Sequence, residues 1–171
     1  KGVATTNVNH GVTTNVLSTT GSGTITVQGT AATTAGGWGF QANGAITTAG
    51  GSISLTGVGG GAATDSNSRG IMINNVAVSG PAAGSTLTLH GTGASTTGNI
   101  AVGVELFQAG AQVSTTGGDI AITGIGGANS SQFSMGFVLN SGSVSAGGAG
   151  KINLTGTGGA NLGATYGIWL L

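Results

Sequence analysis

Five segments of this chain repeat one alternating pattern, apolar-x-apolar-x-Gly: Ile25-x-Val27-x-Gly29, Ile53-x-Leu55-x-Gly57, Leu87-x-Leu89-x-Gly91, Ile120-x-Ile122-x-Gly124 and Ile152-x-Leu154-x-Gly156. Their glycines lie 28, 34, 33 and 32 residues apart. A second anchor, a glycine with apolar residues at +1 and +3, recurs at Gly39, Gly70, Gly103, Gly136 and Gly167, with a degenerate copy at Gly11. Two independent anchors with one period define a tandem repeat, and a repeat of this length cannot bury its own apolar face alone.

Each copy reads as a strand a (SISLT in the second), a glycine-rich loop, a strand b (GIMI) and a corner, followed by a short strand c carrying Val76 and Val78, Val113 or Val144. Alternation at period two marks half-buried strands, and no stretch has a competing helical period. The sequence therefore predicts an all-β fold, a single-stranded parallel β-solenoid of about five rungs of roughly 32 residues, one repeat per turn. Residues 1–171 form one solenoid domain in this reading, with rung boundaries near 21, 50, 83, 117 and 147. A right-handed winding is expected from the handedness of parallel β connections. A transmembrane β-barrel also alternates, but it needs two aromatic girdles, and the 7 aromatic residues here do not pair into belts.

Four residues after the second anchor stand Asn15, Asn43, Asn74 and Asn140, with Phe107 and Leu171 as exceptions. Asparagine tolerates the left-handed conformation of a tight bend, and stacked asparagines can hydrogen-bond amide to amide. An asparagine ladder at the corner after strand b is the expectation, with Asn74 between Asn43 and Phe107. In the core, Ile122 is expected to face inward between Leu89 and Leu154.

Composition narrows function. Only 3 Lys+Arg and 3 Asp+Glu are present, 4% charged residues against about 25% in an ordinary domain. Nucleic acid and anionic lipid are thereby poor partners, and no apolar run is long enough for a membrane-spanning helix. No cysteine is present, so neither disulfides nor thiolate metal sites arise. Glycosidic or lyase chemistry needs acids or bases converging on one cleft. The acids, Asp65, Glu105 and Asp119, fall on different parts of successive rungs and read as solvated surface charges. His10 and His90 likewise read as surface residues in distant rungs. The glycine clusters lack the Lys-Ser/Thr of a phosphate loop and the Asp of a calcium repeat. The chain is expected to be non-catalytic, with no cofactor and no metal.

Two surfaces remain. The outward positions of strand a carry Thr24, Thr26 and Gln28, then Ser52, Ser54 and Thr56, then Thr86, Thr88 and His90, before the rows break at Asp119, Ala121, Lys151 and Asn153. Such hydroxyl rows suit a surface-binding module for ice or glycan, or are simply good exposed strand residues. Strand b is apolar on both faces, with Trp38, Met72, Val102, Met135, Val138, Tyr166 and Trp169 flanking its inward positions. Either the preceding loop covers this stripe or a neighbouring molecule does. The candidate assembly contacts are Trp38, Met72, Val138, Tyr166, Trp169 and Leu171.

Tandem GG-S-I-S-L-T-G-V-G-G copies, each followed by a G-apolar-x-apolar segment, resemble the repeat regions of large secreted bacterial β-helical surface proteins, the filamentous-haemagglutinin-like and autotransporter-like adhesins. The resemblance spans nearly the whole chain and implies an extracellular or cell-surface structural protein of a filament, stalk or matrix with an adhesion role, host or surface glycans being candidate partners. It carries over no functional residue. Lys1 in place of Met suggests a processed chain or a segment of a longer one. Strand edges without a helix, proline or charge cluster are expected to stack on an identical copy as a head-to-tail homopolymer, advancing a fibre by about 25 Å per copy of five rungs at about 4.8 Å each.

Overall fold

The computed structural model describes residues 2–3, 10–33, 36–61, 67–95, 98–128, 132–160 and 163–171. Among them the chain forms strands and no helix, in the repeating order a, b, c. Numbered along the chain, strand a is supplied by β1 (Gly2–Val3), β4 (Ile25–Thr30), β7 (Ile53–Val58), β10 (Thr86–Thr92), β13 (Asp119–Ile125) and β16 (Ile152–Thr157). Strand b is supplied by β2 (His10–Thr14), β5 (Trp38–Ala42), β8 (Asn67–Asn74), β11 (Ile100–Phe107), β14 (Phe133–Asn140) and β17 (Ala164–Leu170). Strand c is supplied by β3 (Leu17–Thr19), β6 (Ile46–Thr48), β9 (Ala77–Ser79), β12 (Gln112–Thr115) and β15 (Ser143–Ala146). Like strands stack in parallel into sheets of six, six and five strands, giving a β-solenoid of about five turns spaced about 32 residues apart.

The register follows the repeat residue for residue. Val27, Leu55, Leu89, Ile122 and Leu154 form one inward column of sheet a, so Ile122 does lie between Leu89 and Leu154 and is 1% exposed. Phe40, Ile71, Val104, Phe137 and Ile168 form a column of sheet b, and Leu17, Ile46, Val78, Val113 and Val144 one of sheet c. These columns meet in one continuous core running along the axis. A slip of a single residue would turn every apolar side chain outward, which is why the alternation pins the stacking.

The two glycine anchors have a physical cause. A Cβ built on Gly29, Gly57, Gly91, Gly124 or Gly156 runs into the carbonyl oxygen of Gly39, Gly70, Gly103, Gly136 or Gly167 respectively. Here the end of strand a lies backbone against backbone on strand b, and the cross-section narrows from a wide core to an edge with no room for any side chain. The loop glycines Gly59 and Gly126 press on the hydroxyls of Ser68 and Ser134 in the same edge. Ser134 is fully buried; it donates to Gly127 O and accepts from Gly159 N–H, both at 2.7 Å.

In β8, β11, β14 and β17 strand b begins three residues before its anchor glycine, so GIMI understates it. Alternation also breaks at that glycine. Gly103 and Val104 both face inward, Gly103 toward strand a and Val104 into the core, so outward residues fall at −1 and +2 from the anchor. The strand acquires a crease there, as at a β-bulge.

Two corners close each turn. Between c and a, Thr19, Thr48 and Thr115 donate their hydroxyls to the carbonyls of Gly23, Gly51 and Gly118 at 3.0, 2.8 and 2.6 Å. In the β9–β10 turn Gly80-Pro81 replaces this device, and Pro81 O accepts from Thr116 and Gly118 N–H of the next turn. Between b and c, Asn74, Phe107 and Asn140 stand in register, and Asn43 and Asn15 occupy the same place in the preceding turns. The left-handed residues, however, are Asn75, Gln108 and Ser141, one position further on, with φ of 56°, 73° and 62°. Tolerance of a left-handed bend is therefore not what places asparagine in the column. Phe107 separates Asn74 from Asn140 by two strand spacings, about 9.6 Å, too far for an amide pair. The polar contact at this corner is made by Asn75, whose Oδ1 accepts from Gly110 N–H at 3.0 Å.

Candidate functional site: the creased outer face of sheet b

The phase shift at the anchor glycine sets two outward columns side by side. One runs His10, Trp38, Arg69, Val102, Met135, Tyr166, and the other Thr13, Gln41, Met72, Glu105, Val138, Trp169. All six candidate assembly contacts lie on this face: Trp38 and Tyr166 in the first column, Met72, Val138 and Trp169 in the second, and Leu171 at its rim beyond β17. Sequence reasoning overlooked Arg69, Ile100 and Phe133 on the same face. The −1 and +2 spacing around each anchor glycine was the signal that would have found the first.

Much of the stripe is buried within the single chain. Met72, Val102, Met135 and Val138 are 5%, 1%, 4% and 2% exposed within the single chain. Val102, Met135 and Val138 form a second apolar cluster, flanked by Ile100, Phe133 and Trp169. Phe133 stacks on Trp169 and Tyr166 stacks on Trp169, with ring centroids 6.0 and 5.1 Å apart. Tyr166 and Leu171 remain exposed.

Glu105 is not a solvated charge. It is buried and ion-paired through Oε2 to Arg69 Nε, one turn away on the diagonal between the two columns. Carbon packing around a strand face excludes water, so a charge placed there needs a partner. The Arg69 guanidinium also lies 5.7 Å from the Trp38 ring centroid. His10 is likewise half-buried rather than a plain surface residue: its ring stacks on Trp38 at 4.4 Å, and its Nδ1 accepts from Trp38 N–H at 3.3 Å. His90 and Asp119 are exposed on sheet a, where Asp119 Oδ1 accepts from Lys151 N–H at 2.8 Å. Asp65 lies outside the described residues.

Along the crease runs an open groove of about 320 Å³, bounded at one end by Arg69 and at the other by Trp169. Val102, Glu105, Met135 and Val138 form its floor, Ile100 and Phe133 one wall, and Phe107, Asn140 and Leu171 the other.

On the opposite side of the solenoid, the hydroxyl rows are in register. Thr26, Ser54 and Thr88 form one column, and Gln28, Thr56, His90, Thr123 and Thr155 another. Sheet c adds a column the sequence reading missed, Ser18, Thr47, Ser79, Ser114 and Ser145, unbroken over five strands. Among the described residues no group of three His, Asp or Glu side chains converges as a metal site would require. No protein-family model, no curated protein and no solved structure matches this chain.

Proposed function

We propose that this chain is a non-catalytic structural module of an extracellular filament, stalk or matrix, of the kind found in bacterial β-helical adhesins, and that it lengthens by adding rungs to its axis. One observation carries the reading. The core columns of sheets a, b and c run in register through successive turns, so each turn is covered by its neighbour and has the shape that templates the next. A rung of a second copy stacked on them removes apolar surface from water at roughly 25 cal/mol per Å² and pairs backbone edges. A heterologous contact of this sort does not close on itself and propagates as a fibre.

The test is the state of the purified chain. Concentration-dependent fibres in negative stain, with an axial repeat that is a multiple of about 4.8 Å, support the reading. A concentration-independent monomer defeats it.

A second reading, a surface-binding module, has its own observation in the hydroxyl columns of sheets a and c. Loss of binding to ice or to an immobilised glycan on Thr88→Lys, with the fold intact, would favour that reading over the first.

A further inference from the structure

We infer that the outer face of sheet a adsorbs to ice, presenting a regular grid to the crystal instead of enclosing a dissolved ligand. The inference rests on the surface-binding reading and names its ligand.

The face is built as a grid. Beside the two hydroxyl columns of sheet a runs a third outward column, Thr30, Val58, Thr92, Ile125 and Thr157, in the same strand-to-strand register. Each row is backed by the same contact of a strand-a glycine on a strand-b glycine, repeated at five turns. Most of the grid positions carry β-branched side chains, whose stiff χ1 fixes hydroxyl and methyl groups before any ligand arrives. Little side-chain freedom is then lost on adsorption.

The axial spacing suits a water lattice. With O–H···O bonds of about 2.75 Å in a tetrahedral network, second-neighbour oxygens lie about 4.5 Å apart. Strands stack at about 4.8 Å, so over five rows the two patterns drift apart by about 1.2 Å, less than half of one hydrogen bond. Waters held by successive rows therefore stay in phase with the crystal.

Charge points the same way. A soluble surface ordinarily carries roughly 25–35% Lys, Arg, Glu and Asp. The three columns carry none, and Asp119 and Lys151 stand at the rim, at the start of β13 and just before β16. A strongly hydrated ammonium holds water in its own orientation, whereas short hydroxyls can take a place in a lattice.

Other occupants fit less well. Sites for single molecules are concave, with aromatic walls and a few converging polar groups. Every Phe, Tyr and Trp of this chain lies on a strand b, so a glycan would find no ring to stack on in sheet a. The grid repeats one weak contact many times, and only a ligand that is itself a repeating plane engages all of them together. A second copy would find two large apolar side chains, Val58 and Ile125, separated by Thr92, without the apolar centre of a protein interface. The hydroxyl column of sheet c is unbroken, but its strands are three or four residues long and offer a line where sheet a offers a plane.

The test grows ice slowly through a dilute solution of the full chain and measures the fraction of protein taken into the crystal, beside an inert globular protein of similar mass. Uptake at least tenfold above that control is expected. Thr123→Lys and Thr155→Lys, both on the middle column, should each reduce uptake at least tenfold with the circular dichroism unchanged, while Ser114→Lys on sheet c should leave it as in the parent. If one middle-column variant fails to fold, the other decides.

Uptake of the parent equal to the control, or uptake that both middle-column variants retain, or that Ser114→Lys abolishes equally, would overturn the inference. A parent rejected by ice but captured by an immobilised glycan, with capture lost in Thr88→Lys, would sink this inference and leave the surface-binding reading standing; a parent that does neither sinks both. Oligomers abolished by Thr123→Lys, without uptake of the parent into ice, would assign the face to a second copy and overturn the inference.

Discussion

A methyl group placed on Gly57 would overlap the Gly70 carbonyl oxygen, and the same collision recurs between Gly91 and Gly103 one turn on. The atom in the way is backbone on both sides, so no rotamer change relieves it. Gly91→Ala is expected to force sheets a and b apart and to destabilise the chain by about 3 kcal/mol or more, the upper range for overpacking. Gly84→Ala is the contrast: its φ of +82° strains a side chain, but nothing lies within 4 Å, and the cost should stay near 1–2 kcal/mol. Denaturant titration of the two variants checks the order; equal effects would contradict the backbone-contact explanation.

Ile122, held between Leu89 and Leu154 at 1% exposure, separates volume from polarity. Ile122→Val removes one methylene and is expected to cost about 0.5–1.5 kcal/mol. Ile122→Asp buries a carboxylate without a partner and should unfold its own turn and those on either side, because each turn is stabilised by its neighbours. Circular dichroism and limited proteolysis read both, and a native-like Ile122→Asp protein would sink the register.

The Arg69–Glu105 pair makes a prediction in which removing more costs less. Glu105→Gln strands a guanidinium on an apolar face and is expected to cost about 3–5 kcal/mol. Replacing both residues, Arg69→Met with Glu105→Leu, should recover most of that loss or exceed the parent. A double-mutant cycle from equilibrium unfolding measures the coupling; additive losses would mean the pair is not acting as a unit.

Thr115 donates to Gly118 O at the corner between β12 and β13 and is 6% exposed. Thr115→Val keeps the shape and deletes the donor, leaving a buried carbonyl short of a partner, so a loss of about 1 kcal/mol is expected. Thr116→Val, at an exposed neighbour whose hydroxyl bonds are long at 3.3 and 3.4 Å, should cost much less. Comparing the two thermal midpoints tests whether the threonine corner is a structural device.

The period, the parallel stacking and the inward columns were all legible in the chain, because each is a local rule repeated. Alternation fixes which residues face inward, and the glycine spacings fix how much chain makes one turn. Ile53, Leu87 and Ile120 could therefore be aligned without coordinates. What lay beyond local pattern was decided where different strands meet. The glycines could be counted, but only the approach of Gly57 to Gly70 explains why no other residue serves there. The phase shift at Gly103 turns Val102 and Glu105 to the same side, and a strict period-two reading has no place for it. That shift sets Glu105 diagonally against Arg69, 36 residues away, and opens the crease between Phe133 and Phe107. A lone glutamate in a sparsely charged sequence reads as solvated because nothing local opposes it; its burial depends on carbon packed around it by turns on either side. The bend after strand b shows the same limit at one-residue scale. The asparagine column was visible, yet the left-handed φ belongs to Asn75, since the geometry of the turn into strand c, and not residue preference, sets where the chain reverses.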